Sequence, residues 1–97
     1  MNRVKFCFTD GAIFCQKTIF KLLEDICECV LVDDNPDILV YSVYGNMHKH
    51  FSCKKIQVIG ENCFPNFNEC DYAISPHYIQ FENRHCRIPF YAFNKEY

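Results

Sequence analysis

The chain opens on a segment in which basic and apolar residues alternate before the sequence becomes wholly apolar. Arg3-Val4-Lys5-Phe6 alternates and residues 6–8 are all apolar, which predicts a first strand over residues 3–8 that enters a buried sheet. Thr9-Asp10-Gly11 ends this strand. An amphipathic helix of about four turns follows, with Asp10 available as its cap. Its apolar positions recur at helical spacing and are Ala12, Cys15, Ile19, Leu22, Leu23 and Ile26.

Short β-branched and aliphatic runs follow the helix. Cys29–Val32 and Ile38–Tyr41 are typical of strands covered on both faces. The link between them, Asp33–Asp37, is a turn by composition and can only just run back along a short strand at ~3.3 Å per residue, so the strand order around it stays open. Residues 45–53 predict a brief helix or loop. Three more strands are predicted, at Ile56–Gly60, Tyr72–Ser75 and Ile88–Tyr91.

This order of elements predicts an α/β fold: a single Rossmann-like, three-layer domain with an open, mostly parallel sheet. A mass of 11.5 kDa allows one compact domain that buries about 65% of the chain's surface, and it does not allow two. The formal charge of -2 gives no general attraction to nucleic acid or to an anionic membrane. No apolar run approaches the ~20 residues of a membrane span.

The eight cysteines do not follow the pattern of a disulfide framework. Cys7, Cys27 and Cys29 lie in apolar runs and Cys15 lies in the helical pattern, where a free thiol behaves as a small hydrophobe. The other four are spread singly through turns and strand edges: Cys53, Cys63, Cys70 and Cys86. Because the amino terminus also lacks an apolar secretion signal, we expect reduced thiols and a cytoplasmic location.

Several residue groups could suggest a site, but their spacing argues against one. The three glycines are far apart and form no phosphate-binding loop, so we expect no cofactor site in this chain. Asp33, Asp34 and Asp37 resemble a cation motif, but Pro36 indicates a turn. We also expect no zinc site and interpret the histidines as surface residues. The possible soft ligands and dyad members are His48, His50, His77, His85, Cys53 and Cys86.

The segment Gly60–Asn68 differs, because a carboxylate directly follows the carboxyl end of a predicted buried strand, where open α/β sheets bind ligands. Glu61 is the best-placed base in the chain. Asn62, Asn66 and Asn68 can each donate and accept hydrogen bonds, which suits a hydroxyl-rich ligand such as a sugar. An asparagine-rich turn whose side chains cap local backbone groups explains the same pattern equally well.

The same segment carries a family resemblance. The residues Gly60-Glu61-Asn62, Pro65-Asn66-Phe67-Asn68 and Asp71-Tyr72-Ala73-Ile74 resemble the corresponding stretch of bacterial α-1,3-fucosyltransferases of glycosyltransferase family 10. The likeness continues through Arg84 and Arg87–Ala92, and more weakly through the opening strand and Asp37–Ser42. It covers nearly the whole chain.

This resemblance implies the amino-terminal, acceptor-side domain of a two-domain GT-B enzyme. Such an enzyme transfers fucose from GDP-fucose to a GlcNAc hydroxyl of a glycan with inversion. Glu61 matches the family's proposed base, and Asn62, Asn66 and Asn68 would bind the acceptor. The donor-binding domain, which holds GDP-fucose in the family, would be missing after Tyr97, so we expect residues 1–97 to be inactive alone.

Two departures from the family pattern concern the expected acceptor site. Cys63 and Phe64 replace a glutamate and a serine that many relatives carry, and Thr9-Asp10-Gly11 replaces an aromatic pair after the first strand. One alternative is therefore a non-catalytic module derived from such a domain that self-associates through exposed aromatics at Phe90, Tyr91, Phe93 and Tyr97. Another is a phosphatase or redox protein that uses one of the thiols.

Overall fold

In a computed structural model, residues 2–59, 64–75 and 83–88 are described, and they form one sheet with helices. Six parallel strands lie in the order β2-β1-β3-β4-β5-β6. The α/β class and the open parallel sheet are therefore confirmed. The strands are β1 Asn2–Thr9, β2 Cys27–Leu31, β3 Ile38–Tyr41, β4 Lys54–Val58, β5 Tyr72–Ser75 and β6 His85–Arg87. The helices are a 3-10 helix at Ala12–Cys15, α1 at Gln16–Leu23 and a second 3-10 helix at Met47–His50.

Most strands lie where the sequence pattern predicts them. The bounds of β3 and β5 are as predicted, and the second 3-10 helix falls in the segment predicted as a brief helix or loop. The last strand is earlier than predicted, at His85–Arg87, and only Ile88 of the predicted strand is described. The Ile88 N–H still donates to the Ser75 carbonyl at 3.0 Å, so the β5–β6 pairing continues to this residue.

The position of β2 and β3 on either side of β1 settles the strand order that the sequence leaves open. β2 pairs with Asn2–Phe6 of β1, whereas β3 pairs with Phe6–Thr9. Because the two strands are staggered, the link between them crosses β1 and does not have to run back along a strand. Asp37 holds the end of this link, since its N–H donates to the Lys5 carbonyl and its carboxylate accepts from the Lys5 N–H, both at 2.8 Å.

One face of the sheet packs against the first 3-10 helix and α1. Side chains at alternate strand positions, among them Phe6, Val40 and Val58, meet Cys15 and Ile19 there. Phe20 adds edge-to-face ring contacts with Phe6 and Phe8, with centroids 5.5 and 5.8 Å apart. This face, which we call the helix face, is apolar throughout because strand and helix periodicities both direct apolar side chains to it.

The helix that follows β1 ends earlier than its apolar pattern predicts, and two of the core positions predicted from that pattern are wrong. Leu22 is 60% exposed and Ile26 is 69% exposed. Cys15, Ile19 and Leu23 recur at four-residue spacing and face the sheet, whereas Leu22 lies about 100° away around the helix. Ile26 lies beyond the helix end, in a turn closed by its N–H to the Leu23 carbonyl at 2.9 Å.

Coverage of the first two short strands differs from one to the other. Leu39, Val40 and Tyr41 of β3 are fully buried, as predicted for a strand covered on both faces. For β2 that prediction is wrong, because this strand lies at the sheet edge and Leu31 is 53% exposed. The run of apolar residues is similar in both, so only the position in the sheet separates them.

The opposite face of the sheet, which we call the loop face, has a smaller and more polar covering. Tyr41 and Ala73 pack there with Cys70 and Phe67, below the second 3-10 helix and residues 64–71. Gln57 and Ser75 are buried among the strand positions of this face. The helices on the helix face, the sheet itself and the covering of the loop face together form the predicted three layers. Within the described ranges, no helix has the length and apolarity needed to cross a membrane.

Candidate functional site

The chain changes direction in the sheet between β1 and β3. After β1 the chain passes through α1 on the helix face to β2, and after β3 it passes through the second 3-10 helix on the loop face to β4. Such a switch point leaves a crevice at the carboxyl ends of the strands, where α/β proteins bind ligands. The loops that follow β1 and β3 meet there, and the Tyr44 N–H donates to the Asp10 carbonyl at 3.1 Å.

Asp10 joins these two loops through its carboxylate. Oδ1 accepts from the Met47 N–H at 2.9 Å, and Oδ2 accepts from the His48 N–H at 3.1 Å and contacts His48 Nδ1 at 2.6 Å. The side chain is only 2% exposed. The prediction that Asp10 caps the first helix is therefore wrong: Gly11 is the N-cap residue, and the helix start has no side-chain cap. The carboxylate satisfies the start of the second 3-10 helix instead.

His48 is buried between two carboxylates, so its interpretation as a surface histidine is wrong. Nδ1 faces Asp10, and Nε2 lies 2.9 Å from Glu69 Oε1. The imidazole also stacks on Tyr41, with centroids 3.9 Å apart and planes 10° apart. His50, by contrast, is exposed as expected. We call Asp10, His48 and Glu69 the bridge cluster.

The bridge cluster carries charge in a largely buried place. Burial opposes ionisation of Asp10, but hydrogen bonds from His48 and Met47 outweigh it and lower the pKa of this carboxyl. The hydrogen bond from His48 likewise lowers the pKa of Glu69, with a contribution from Lys49 at 3.6 Å. Ionised carboxylates only accept hydrogen bonds. Both ring contacts are therefore satisfied together when His48 carries a proton on each nitrogen.

Two glycines allow the loops after β1 and β3 to approach each other closely. Gly11 has φ 90°, a left-handed conformation that favours glycine, and a Cβ there would lie 2.4 Å from the Tyr44 ring. At Gly45 a Cβ would lie 2.8 Å from Asp10 Oδ1. Asp10 itself has φ 55°. The loops after β1 and β3 therefore leave no room for larger residues at these two positions.

The predicted site residues of the segment Gly60–Asn68 are divided by the described ranges. Glu61 and Asn62 lie outside the described residues. Asn66 and Asn68 are exposed, and they are joined by a bond in which the Asn68 N–H donates to Asn66 Oδ1 at 3.0 Å. The Asn66 N–H donates to Gln57 Oε1 at 2.9 Å. Asn66 therefore has the turn-forming role that the sequence left as an alternative, in a segment held to the loop face of β4.

Arg84 binds the backbone at the end of the same segment and just after it. Its Nε donates to the Asp71 carbonyl, and one Nη donates to the carbonyls of Phe67 and Cys70, all at 2.9 Å. The guanidinium also lies 5.1 Å from the centre of the Phe67 ring. In the sequence Arg84 stood out only as part of the family resemblance. Its bonds satisfy three backbone carbonyls that lie just before β5.

The pKa shifts resolved for thiols in the described ranges do not favour a reactive cysteine. All seven described cysteines are free, and Cys63 lies outside the described residues. Burial raises the pKa of Cys15 to about 12 and also raises the pKa of Cys7 and Cys70. A nucleophilic cysteine needs the opposite shift. Across the same ranges, no three His, Cys, Asp or Glu side chains converge as metal ligands.

Solved structures with the same fold include α-1,3-fucosyltransferases. A crystal structure of one with GDP-fucose has a TM-score of 0.72 and 23% identity, and covers 97% of this chain and 29% of that chain. Another α-1,3-fucosyltransferase structure has a TM-score of 0.74 and 25% identity, with coverage of 96% and 30%. A third, with GDP, has a TM-score of 0.70 and 22% identity, with coverage of 96% and 28%. This chain thus spans less than a third of those proteins.

The family assignment rests on the sequence itself. No curated protein matches the chain. The alpha-(1,3)-fucosyltransferase FucT N-terminal domain family, however, matches residues 4–94, which include β2 to β6, all but the first two residues of β1, and the segment Gly60–Asn68. The resemblance found in that segment is therefore confirmed, and the chain belongs to the alpha-(1,3)-fucosyltransferase N-terminal domain family.

Proposed function

We propose that this chain is the acceptor-side half of an inverting α-1,3-fucosyltransferase of the GT-B type. In this proposal it binds a glycan that contains GlcNAc, and a separate donor-binding domain holds GDP-fucose. Glu61 acts as the base, and Asn62, Asn66 and Asn68 bind the acceptor. Residues 1–97 alone do not transfer fucose, because the activated sugar is held by the other domain.

The observation that carries the proposal is the attachment of the family motif to β4. The segment Gly60–Asn68 directly follows Ile59, which is fully buried and whose N–H donates to the Ile74 carbonyl at 2.9 Å. β4 and its neighbour β3 are parallel, so both end at the edge of the sheet where the switch point lies. A carboxylate introduced just after such a strand suits the activation of an acceptor hydroxyl.

The chemistry requires a group of this kind. A sugar hydroxyl is a weak nucleophile, and a carboxylate within hydrogen-bond reach can remove its proton as the hydroxyl oxygen attacks the anomeric carbon of fucose. The bond from that carbon to the GDP phosphate oxygen breaks as the new glycosidic bond forms on the opposite face, which inverts the configuration. Partial burial that raises the pKa of Glu61 would make it a better base.

Exposed apolar side chains near the same edge also support acceptor binding. Phe14 follows β1, Tyr44 follows β3 and Phe64 follows the β4 end, and all three rings are exposed. The Tyr44 ring lies against Gly11, in the part of the chain where the family's aromatic pair is replaced. Aromatic rings can cover the apolar face of a pyranose while polar groups bind its hydroxyls.

The two alternative functions have less support. The aromatic residues proposed for self-association lie outside the described residues. A redox or phosphatase function needs a thiolate, and the pKa shifts resolved for the described cysteines are all upward. Neither function is favoured by a specific contact, so we retain acceptor binding as the proposal.

Acceptor binding can be tested by titrating the 15N-labelled chain with N-acetyllactosamine and following its amide signals. We expect shifts at Glu61, Asn62, Asn66 and Asn68 and at the loops after β1 and β3, with α1 unaffected. Lactose, which lacks the N-acetyl group, is a matched control and should bind more weakly. Unchanged signals in the segment at saturating sugar would contradict the proposal.

The role of Glu61 can be tested once a donor-binding domain is supplied in trans. Glu61→Gln should lower kcat by at least about a hundredfold, in the range that general bases contribute, while acceptor binding persists. Glu24→Gln is the control, since Glu24 is exposed at the end of α1 and pairs only with Lys21 at 3.1 Å within the described ranges. Rapid GDP-fucose turnover by the 97-residue chain alone would contradict the proposal that a separate domain holds the donor.

A further inference from the structure

We infer that His48 is a positioning residue for residues 64–69, the described part of the chain that follows β4. As an imidazolium between Asp10 and Glu69, it holds the segment that follows β4 against the two loops of the switch point. The consequence for transfer rests on the proposed function, because it is through Glu61 in that segment that His48 would affect the reaction. His48 itself needs no contact with the sugar.

The contacts of His48 join three parts of the chain that are distant in sequence. Its Nδ1 binds the loop after β1 through Asp10, its ring stacks on Tyr41 of β3, and its Nε2 binds Glu69. Glu69 closes the turn that begins at Asn66, since its N–H donates to the Asn66 carbonyl at 3.0 Å. One buried side chain thus connects the two switch-point loops with the end of the segment Gly60–Asn68.

The charges around His48 balance. Asp10 and Glu69 approach it from the loop after β1 and from the segment after β4, and both carboxyl groups have lowered pKa values. Lys49, from the same 3-10 helix, lies 3.6 Å from the second oxygen of Glu69. Tyr41 faces the ring from β3 with a phenol that burial keeps neutral, since its pKa is raised. The two carboxylates are therefore balanced by two cationic side chains, those of His48 and Lys49, when His48 is protonated.

The chain after β4 has a second attachment to the sheet, and this attachment does not depend on His48. Arg84 binds the carbonyls of Phe67, Cys70 and Asp71, and these contacts do not involve His48. Asp71 is also paired with Lys55 of β4 through two bonds of 2.9 Å. Loss of the His48–Glu69 bond should therefore loosen the chain around Glu69, which lies nearest the switch point. The part that is bound by Arg84 and Lys55 should stay attached to the sheet.

Hydrogen exchange of the full chain tests this directly. In His48→Gln and in Glu69→Gln we expect the amides of residues 64–69 to exchange about tenfold faster or more, because a hydrogen bond to a charged group is lost from the closed state. Amides of β3 and α1 should keep their protection. His50→Gln is the matched control, since His50 is exposed in the same 3-10 helix. If His48→Gln does not fold, Glu69→Gln decides, because Glu69 is partly exposed.

A spectroscopic readout separates positioning from simple packing. In the wild-type chain, 15N spectra should show protons on both His48 ring nitrogens. Glu69→Gln should alter the Nε2 signal far more than the Nδ1 signal, whose partner is Asp10. Unchanged exchange in residues 64–69 in both variants, or a neutral His48 ring in the wild type, would overturn the inference.

Sugar binding then distinguishes failure of the inference from failure of the proposed function. If N-acetyllactosamine binds the wild-type chain, we expect Glu69→Gln to weaken binding about tenfold and His50→Gln to leave it unchanged. Equal affinity in Glu69→Gln and wild type would overturn the positioning role while the acceptor function stands. If the wild type binds no sugar, the proposed function fails, and the exchange experiment still decides whether His48 positions the segment.

Discussion

The two faces of the sheet are built from the same strands but by different means. On the helix face, Phe6, Val40 and Val58 pack against Ile19 and its neighbours, and burial of apolar surface stabilises the contact. On the loop face, Tyr41 lies under an imidazole that is held by two carboxylates. Apolar packing depends on volume, whereas the bridge cluster depends on every partner being present. The two faces should therefore respond differently to substitution.

Removal of Asp10 should have the largest effect, because it leaves the buried His48 ring and two backbone N–H groups without their acceptor. We expect Asp10→Ala to lower the free energy of unfolding by about 3 to 5 kcal/mol. Urea denaturation followed by circular dichroism measures this. Asp34→Ala is the control, since Asp34 is exposed in the link before β3 and should change stability by less than about 0.5 kcal/mol. Similar small losses in both variants would mean that the bridge cluster adds little.

On the helix face, one matched pair of substitutions tests apolar packing. Ile19→Ala should cost about 2 to 5 kcal/mol, because it opens a cavity among Phe6, Cys15 and Val40. Leu22→Ala removes as many carbons from the same helix but should cost less than about 0.5 kcal/mol, since Leu22 is exposed. Both free energies come from denaturant unfolding, and equal costs would contradict the orientation of α1.

This pair also shows how far sequence reasoning reaches on the helix face. The apolar residues of β1, β3 and α1 repeat at the periods of a strand and a helix, so the elements and most core positions can be predicted from local pattern. Leu22 and Ile26 fit the same pattern and are nevertheless exposed. The pattern cannot show where the helix ends or which residues the sheet is wide enough to cover.

The bridge cluster could not be predicted, because its members share no local pattern. His48 is 38 residues from Asp10 and 21 from Glu69. They meet because β1 and β3 are neighbours in the sheet and because residues 64–71 cross the loop face. Asp10 matched a helix-cap pattern, but its carboxylate binds a loop that arrives much later in the chain. The family motif after β4 was predicted from its residues, since that signal is local.

A smaller effect should come from Gly45, where the loop after β3 passes close to the Asp10 carboxylate. An alanine Cβ would lie 2.8 Å from Oδ1, so we expect Gly45→Ala to cost about 1 to 3 kcal/mol through crowding. In an Asp10→Ala background the same substitution should cost much less, because the crowded atom is gone. A double-mutant cycle measures the difference. Strictly additive losses would show that the two residues do not interact.

Acid should weaken the loop face selectively, and this is the smallest effect. Hydrogen bonds hold the pKa of Asp10 and Glu69 below their ordinary values, so the unfolded chain binds more protons than the folded one at low pH. Their contribution is fully present above about pH 5, where both carboxyl groups are ionised even in the unfolded chain, and is lost as pH falls through the lower folded-state values. Glu69→Gln should therefore make the acid loss of stability shallower, measured by urea unfolding at a series of pH values. Leu22→Ala should keep the wild-type acid slope, because the apolar contacts of the helix face do not titrate; an unchanged slope in Glu69→Gln would show that its carboxylate is not coupled to His48.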